Sequence, residues 1–140
     1  MSAEQNARVV RECIEAVLSG DWDGIRRAHA DDAVIVDPLL PDPISGIEAI
    51  LELYQGCREQ EPDMQGEIKN IIADGDMVAA EWITRGTVAK PFPGMPDSVI
   101  GKRVEIPEVN IIEMRDGKII SNTVYADSGA LMRQLDLLPD

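Results

Sequence analysis

The sequence predicts an α+β domain in which three N-terminal helices pack on one curved antiparallel sheet. Two observations carry this. Apolar residues recur at helical spacing only in the N-terminal part of the chain, and β-branched runs take over from Gln65 onward. A third excludes the main competitor: strands and helices do not alternate, so a parallel doubly wound sheet is not expected.

The first helix is expected over residues 3–18, where Val10, Cys13, Ile14, Val17 and Leu18 form one apolar stripe opposite charged positions. Ser19-Gly20-Asp21 ends it and begins the next, because glycine suits a helix C-terminus and an aspartate can accept from free N–H groups. Trp22, Ile25 and Ala28 mark the buried side of a short second helix, with the sole histidine, His29, at its end as a surface or partly packed residue. Residues 33–37 (AVIVD) are too short for a helix and β-branched enough for a strand. The segment DPLLPDPISG carries three of the nine prolines and reads as an irregular rim. Ser45 followed by Glu48 reads as a capping box for a third helix with Ile47, Ile50, Leu51 and Tyr54 on its buried stripe. Four strands follow, the last two forming a hairpin.

At 140 residues with 44% hydrophobic content, the chain fits one domain spanning residues 1–140. Twenty-six acidic against thirteen basic side chains give a net charge of −13, which repels nucleic acid and anionic membranes. No apolar run approaches the ~20 residues a bilayer span needs, and MSAEQNARVV lacks a signal peptide's basic and apolar regions. A cytoplasmic protein is expected. Cys13 and Cys57 sit on predicted helices without a CxxC or Cys/His cluster, so they read as buried thiols, with no metal and no cofactor.

The hairpin EIPEVNIIEMRDGKIISNTVYAD is where chemistry is expected. Asp116-Gly117 favours a two-residue turn with positive φ at both positions. If Arg115 pairs with Lys118, then Met114 faces Ile119, Ile112 faces Ser121, Asn110 faces Thr123, and Asp127 lies on that same side. Asn110 and Asp127 would then flank a ligand, unless Asp127 simply caps the next segment of chain. The outer face would expose Val109, Ile111, Val124 and Ala126, and a homodimer would cover it. The loop over residues 90–98 (KPFPGMPDS), with Phe92 and Met95, is either a flap over a pocket mouth or a strand connection covering core.

Beyond these patterns, SGDWDGI, HADDAVIVDP and SGIEAI resemble the N-terminal half of ketosteroid isomerases and of the wider nuclear transport factor 2-like superfamily. RGTVAKPFPGMPDSVIGKRVEI, MRDGKIISNTVYAD and LMRQLDLL are similar to SnoaL-like polyketide cyclases. The resemblance implies a cone-shaped pocket and carries roles to three positions. Asp37 matches the isomerases' proton-transferring aspartate. Asn110 matches their protonated oxyanion-hole aspartate and the cyclases' histidine. Asp127 matches the cyclases' acid/base aspartate. Departures are equally plain: the isomerases' oxyanion tyrosine falls at Cys13, a weaker and shorter donor, and Asn110 cannot shuttle a proton. An epoxide hydrolase's Arg/Asp/Asp set is not matched, Arg85 being the nearest cation and reading as a strand-surface charge.

The implied activity is a cofactor-independent isomerisation or cyclisation of an apolar, carbonyl-bearing ring compound by carboxylate proton transfer. Asp37 and Asp127 would act as acid and base, and Asn110 would polarise the carbonyl. Cys13, Tyr54, Trp82, Phe92, Met95, Ile112 and Tyr125 are the expected pocket-lining residues. The alternative is a non-catalytic module of the same fold that binds a small molecule or assembles with a partner.

Overall fold

The computed structural model describes residues 2–38 and 40–138. Helix α1 (Ala3–Ser19) opens on a reciprocal cap: the Ser2 hydroxyl accepts from the Gln5 N–H at 3.1 Å while the Gln5 side chain accepts from the Ser2 N–H at 2.8 Å. It closes on Gly20, whose φ of 72° lies in the left-handed region that glycine tolerates. Asp21 then caps α2 (Trp22–Ala28), its carboxylate accepting from the Gly24 N–H at 3.0 Å.

Strand β1 (His29–Val36) begins four positions earlier than expected and takes in the histidine. His29 is 2% exposed, not a surface residue, and its Nδ1 lies 2.7 Å from the Ile25 carbonyl. The described residues of the proline-rich segment are irregular as far as Pro43, Leu39 lying outside the described residues, but Ile44 and Ser45, expected to be part of the irregular rim, pair with β1 as a short strand. That strand is β2 (Ile44–Ser45), and α3 (Ile47–Gln60) follows. The capping box expected at Ser45 and Glu48 does not form. Gly46, at φ 90°, takes the cap position with no side-chain bond, Ser45 pairs with Val34, and Glu48 instead accepts from Arg26 at 2.7 Å.

Four long strands follow: β3 (Gln65–Asp74), β4 (Met77–Thr87), β5 (Arg103–Arg115) and β6 (Lys118–Ala126). The six strands run in the order β2-β1-β6-β5-β4-β3. Neighbours are antiparallel except β1 and β6, which pair in parallel, so the sheet is mixed where a purely antiparallel one was expected. A fourth helix, α4 (Ser128–Gln134), follows β6 directly. Helices and the sheet's inner face enclose the main core, in which Val10, Ile25, Ile50 and Ala80 are completely buried. Each of the larger ones stabilises the fold by roughly 1.5–3 kcal/mol. A smaller core of Val88, Val99, Val104, Leu131 and Leu135 lies beneath α4.

The hairpin turn is as expected, with Asp116 and Gly117 both at positive φ and Arg115 opposite Lys118. Its register beyond Met114 is not. Glu113 pairs with Ser121 while Met114 pairs with Ile119, so Ile120 is an extra residue, a β-bulge. Past the bulge the two strands are offset by one, and Asn110 pairs with Val124 instead of Thr123.

Candidate active site

The bulge decides which β6 side chains meet the cavity. Val124 and Ala126 turn inward with Asn110, whereas Tyr125, opposite Val109, points outward at 57% exposure. Tyr125 is therefore not a pocket residue. Nor do Asn110 and Asp127 share a face: Asp127 is exposed and caps α4, accepting from the Ala130 N–H at 2.9 Å.

A cavity of about 180 Å³, mainly apolar in its walls, lies between α3, the end of β1, the inner face of β4 to β6, and α4. Of the expected residues, Asp37, Tyr54, Trp82, Phe92 and Asn110 line it. Cys13 and Ile112 do not; both are packed in the main core, at 6% and 3% exposure. Met95 packs against the second core rather than the cavity, so of the loop's two apolar residues only Phe92 reaches the ligand space. A wider groove of about 450 Å³ runs along α1 and α2, but Glu12, Glu15, Asp21 and Arg27 make its walls charged, and none of the expected site residues borders it. Arg85 stands clear of the cavity, beside Glu67 at 3.1 Å and Glu105 at 3.7 Å.

Two further carboxylates belong to the cavity. Glu108 stands on β5 two residues before Asn110, hence on the same face, and Glu61 follows the last turn of α3. Alternation along IPEVNII exposes the first of these to sequence reading, since Ile106, Glu108, Asn110 and Ile112 form one inward row.

Hydrogen bonds fix the row. The Trp82 indole N–H donates to Asn110 Oδ1, which leaves the amide nitrogen of Asn110 to donate to the Glu108 carboxylate. Burial pushes Glu108 up to about 7, the charge of Asp37 adds to the rise, and the Asn110 hydrogen bond opposes it. Glu61 is raised to about 6 by burial and then by Asp63. Cys57, between them, is pushed to about 11 by burial first and then by Glu61, Glu108 and Asp37, so its thiol stays protonated. Burial likewise keeps the Tyr54 phenol neutral, well above its ordinary range. Among the described residues no three carboxylate, thiol or imidazole groups converge closely enough to hold a metal ion.

Helices over one face of a six-stranded sheet, with an apolar cavity between, define a nuclear transport factor 2-like domain. The profile of the SnoaL-like polyketide cyclase family matches residues 7–135, and the chain belongs to that family. Its solved relatives agree. AclR of Streptomyces galilaeus, a candidate hydroxylase, is 26% identical with a TM-score of 0.83 over 99% of this chain and 89% of its own. IdmH of Streptomyces antibioticus, a candidate polyketide cyclase, is 29% identical with a TM-score of 0.79 over 94% and 99%. A candidate SnoaL-like polyketide cyclase of Jannaschia sp. CCS1, at 23% identity and a TM-score of 0.85 over 98% and 95%, shares the fold.

Proposed function

We propose that the protein is a cofactor-independent isomerase or cyclase that moves protons with two carboxyl groups on an apolar, carbonyl-bearing compound. The observation that carries this reading is the pair Asp37 and Glu108 in one mainly apolar cavity, with Glu108 held by Asn110 and Asn110 held by Trp82. Asp37 takes a proton from the carbon beside the carbonyl. Glu108, still carrying its proton near neutral pH, gives a hydrogen bond and then the proton to the oxygen as negative charge develops there. The enol then gives its O–H proton back to Glu108 as its electron pair moves to carbon: either another carbon takes up the proton held by Asp37, which shifts the double bond, or the pair attacks an electrophilic carbonyl carbon of the same molecule and closes a ring, Asp37 giving its proton to the oxygen of the attacked carbonyl.

In this reading Asn110 is a positioning residue. Its carboxamide is committed to Trp82 and Glu108, so the donor role toward the substrate oxygen passes to Glu108. Asp127 takes no part, since it faces solvent as a helix cap.

The test is deuterium entry at the α-carbon of cyclic ketones incubated with the protein in D2O. Exchange that falls about a hundredfold in Asp37→Asn and in Glu108→Gln supports the reading. Ligands that bind without any exchange would leave the non-catalytic binding module, a reading favoured by Cys13, which occupies the core where the resemblance places an oxyanion donor.

A further inference from the structure

Glu61 has no role in proton transfer by Asp37 and Glu108, yet it borders the cavity at only 9% exposure. Among the described residues its carboxylate meets no hydrogen-bond donor and no cation; burial and Asp63 both disfavour its charge. The nearby cations are engaged elsewhere. Arg58 donates to the carbonyls of Leu18 at 2.6 Å and Met64 at 3.5 Å, Lys90 pairs with Glu59 at 3.5 Å, and Arg103 reaches the Thr87 hydroxyl at 3.4 Å. Asp63, its acidic neighbour, is already occupied by the Thr87 N–H at 2.8 Å.

The backbone makes room for this acid. Gly86 is on the inner row of β4, two residues from the cavity-lining Thr84, and a Cβ there would stand 2.8 Å from Glu61 Oε1. A largely buried carboxylate with no protein partner gains from a cation that arrives later and supplies one. Asp37 adds to the negative field, since it, like Glu61, acts on the Cys57 thiol that borders the same cavity. The three do not converge to chelate a metal ion, and the remaining walls, with Leu53, Tyr54 and Phe92, suit an organic skeleton.

We propose that the substrate carries a basic nitrogen, and that its protonated amine sits against the Glu61 carboxylate while the carbonyl end meets Asp37 and Glu108. This deepens the proposed function and rests on its reading of the cavity as the substrate site. It makes Glu61 a specificity residue: an amine satisfies the buried charge, whereas a neutral analogue of equal shape leaves it bare.

Paired probes test it without turnover. 2-Naphthylmethylamine and 2-naphthylmethanol, nearly equal in shape, are titrated into the full chain by calorimetry at pH 8 in about 0.15 M salt, where the long-range pull of the −13 net charge on any cation is screened. The amine is expected to bind about tenfold more tightly than the alcohol. In Glu61→Gln that preference should fall below about threefold with alcohol affinity unchanged, and Glu61→Asp should restore part of it. Equal affinities in the unaltered protein, failure of the amine to bind, or a preference undiminished in a folded Glu61→Gln would each overturn the proposal. Amine preference without any α-carbon exchange would sink the catalytic reading and leave Glu61 as the amine-recognising residue of a binding site.

Discussion

Trp82 on β4 stands directly opposite Glu108 on β5, and its indole N–H reaches diagonally to Asn110, two residues along the same strand. One side chain thereby fixes which end of the Asn110 amide faces the acid. In Trp82→Phe the Asn110 oxygen, 3% exposed, loses its donor, which should cost about 1–3 kcal/mol in denaturant unfolding. Deuterium exchange should slow while its dependence on pH shifts, because Asn110 is then free to turn its oxygen toward Glu108. An unchanged pH profile would show that the amide is held by something else.

Glu108 gives a signed prediction for pH. Its carboxyl is raised from 4.5 to about 7, so the folded protein holds that proton more tightly than the unfolded chain. The associated stability is fully present below 4.5 and is lost as pH climbs through about 7. Glu108→Gln, which has no such proton to lose, should exceed the parent's stability near pH 8.5 by up to about 3 kcal/mol and match it near pH 4. Its activity should fall throughout, and the parent's exchange rate should decline above neutrality as the acid form is lost. Chemical denaturation at the two pH values and a rate profile measure both.

Gly86→Ala places a methyl group 2.8 Å from Glu61 Oε1 and 3.2 Å from Asp63 Oδ1. The carboxylates must move, at a cost of about 1–3 kcal/mol. Thermal unfolding should show that loss, and Gly86→Ala combined with Glu61→Ala should recover part of it.

Neither cysteine should behave as a nucleophile. Burial raises Cys57 to about 11 and Cys13 to about 12. At pH 8 the thiolate fraction of Cys57 is on the order of one in a thousand. Iodoacetamide should label the native protein far more slowly than the urea-unfolded chain, as read by intact mass.

Ile72, Met77, Ile111 and Tyr125 are 69%, 45%, 37% and 57% exposed on strands β3 to β6. We infer a homodimer across this outer face, with Val124 and Ala126 replaced by Tyr125 in the set first expected there. Light scattering at micromolar concentration should give twice the chain mass, and Ile111→Glu should give the monomer.

Much of the architecture was legible because local chemistry and tertiary context agree in it. Gly20 and Asp21 do at the α1–α2 junction what their side chains favour, and Asp116-Gly117 turns as its dipeptide requires. What escaped was set by partners distant in sequence. Seven residues are too few for α4 to show a helical stripe, and the parallel pairing of β1 with β6 depends on where the whole chain returns. Asn110 was legible as a polar group on the hairpin face that also carries Ile112 and Met114, whereas Asp37 was marked only by the resemblance to ketosteroid isomerases. Glu108 lies on that same hairpin face and was readable in principle. Glu61 was not, since its burial comes from strand β4 and the space that Gly86 leaves.

The extra residue at Ile120 makes the inventory of the cavity a matter of counting. Deleting one position from that hairpin would rotate every later side chain of β6 by half a turn, sending Tyr125 toward the ligand and Val124 toward water. An insertion or deletion far from the carboxyl groups could thus remodel specificity wholesale, at a single step, with no active-site residue altered.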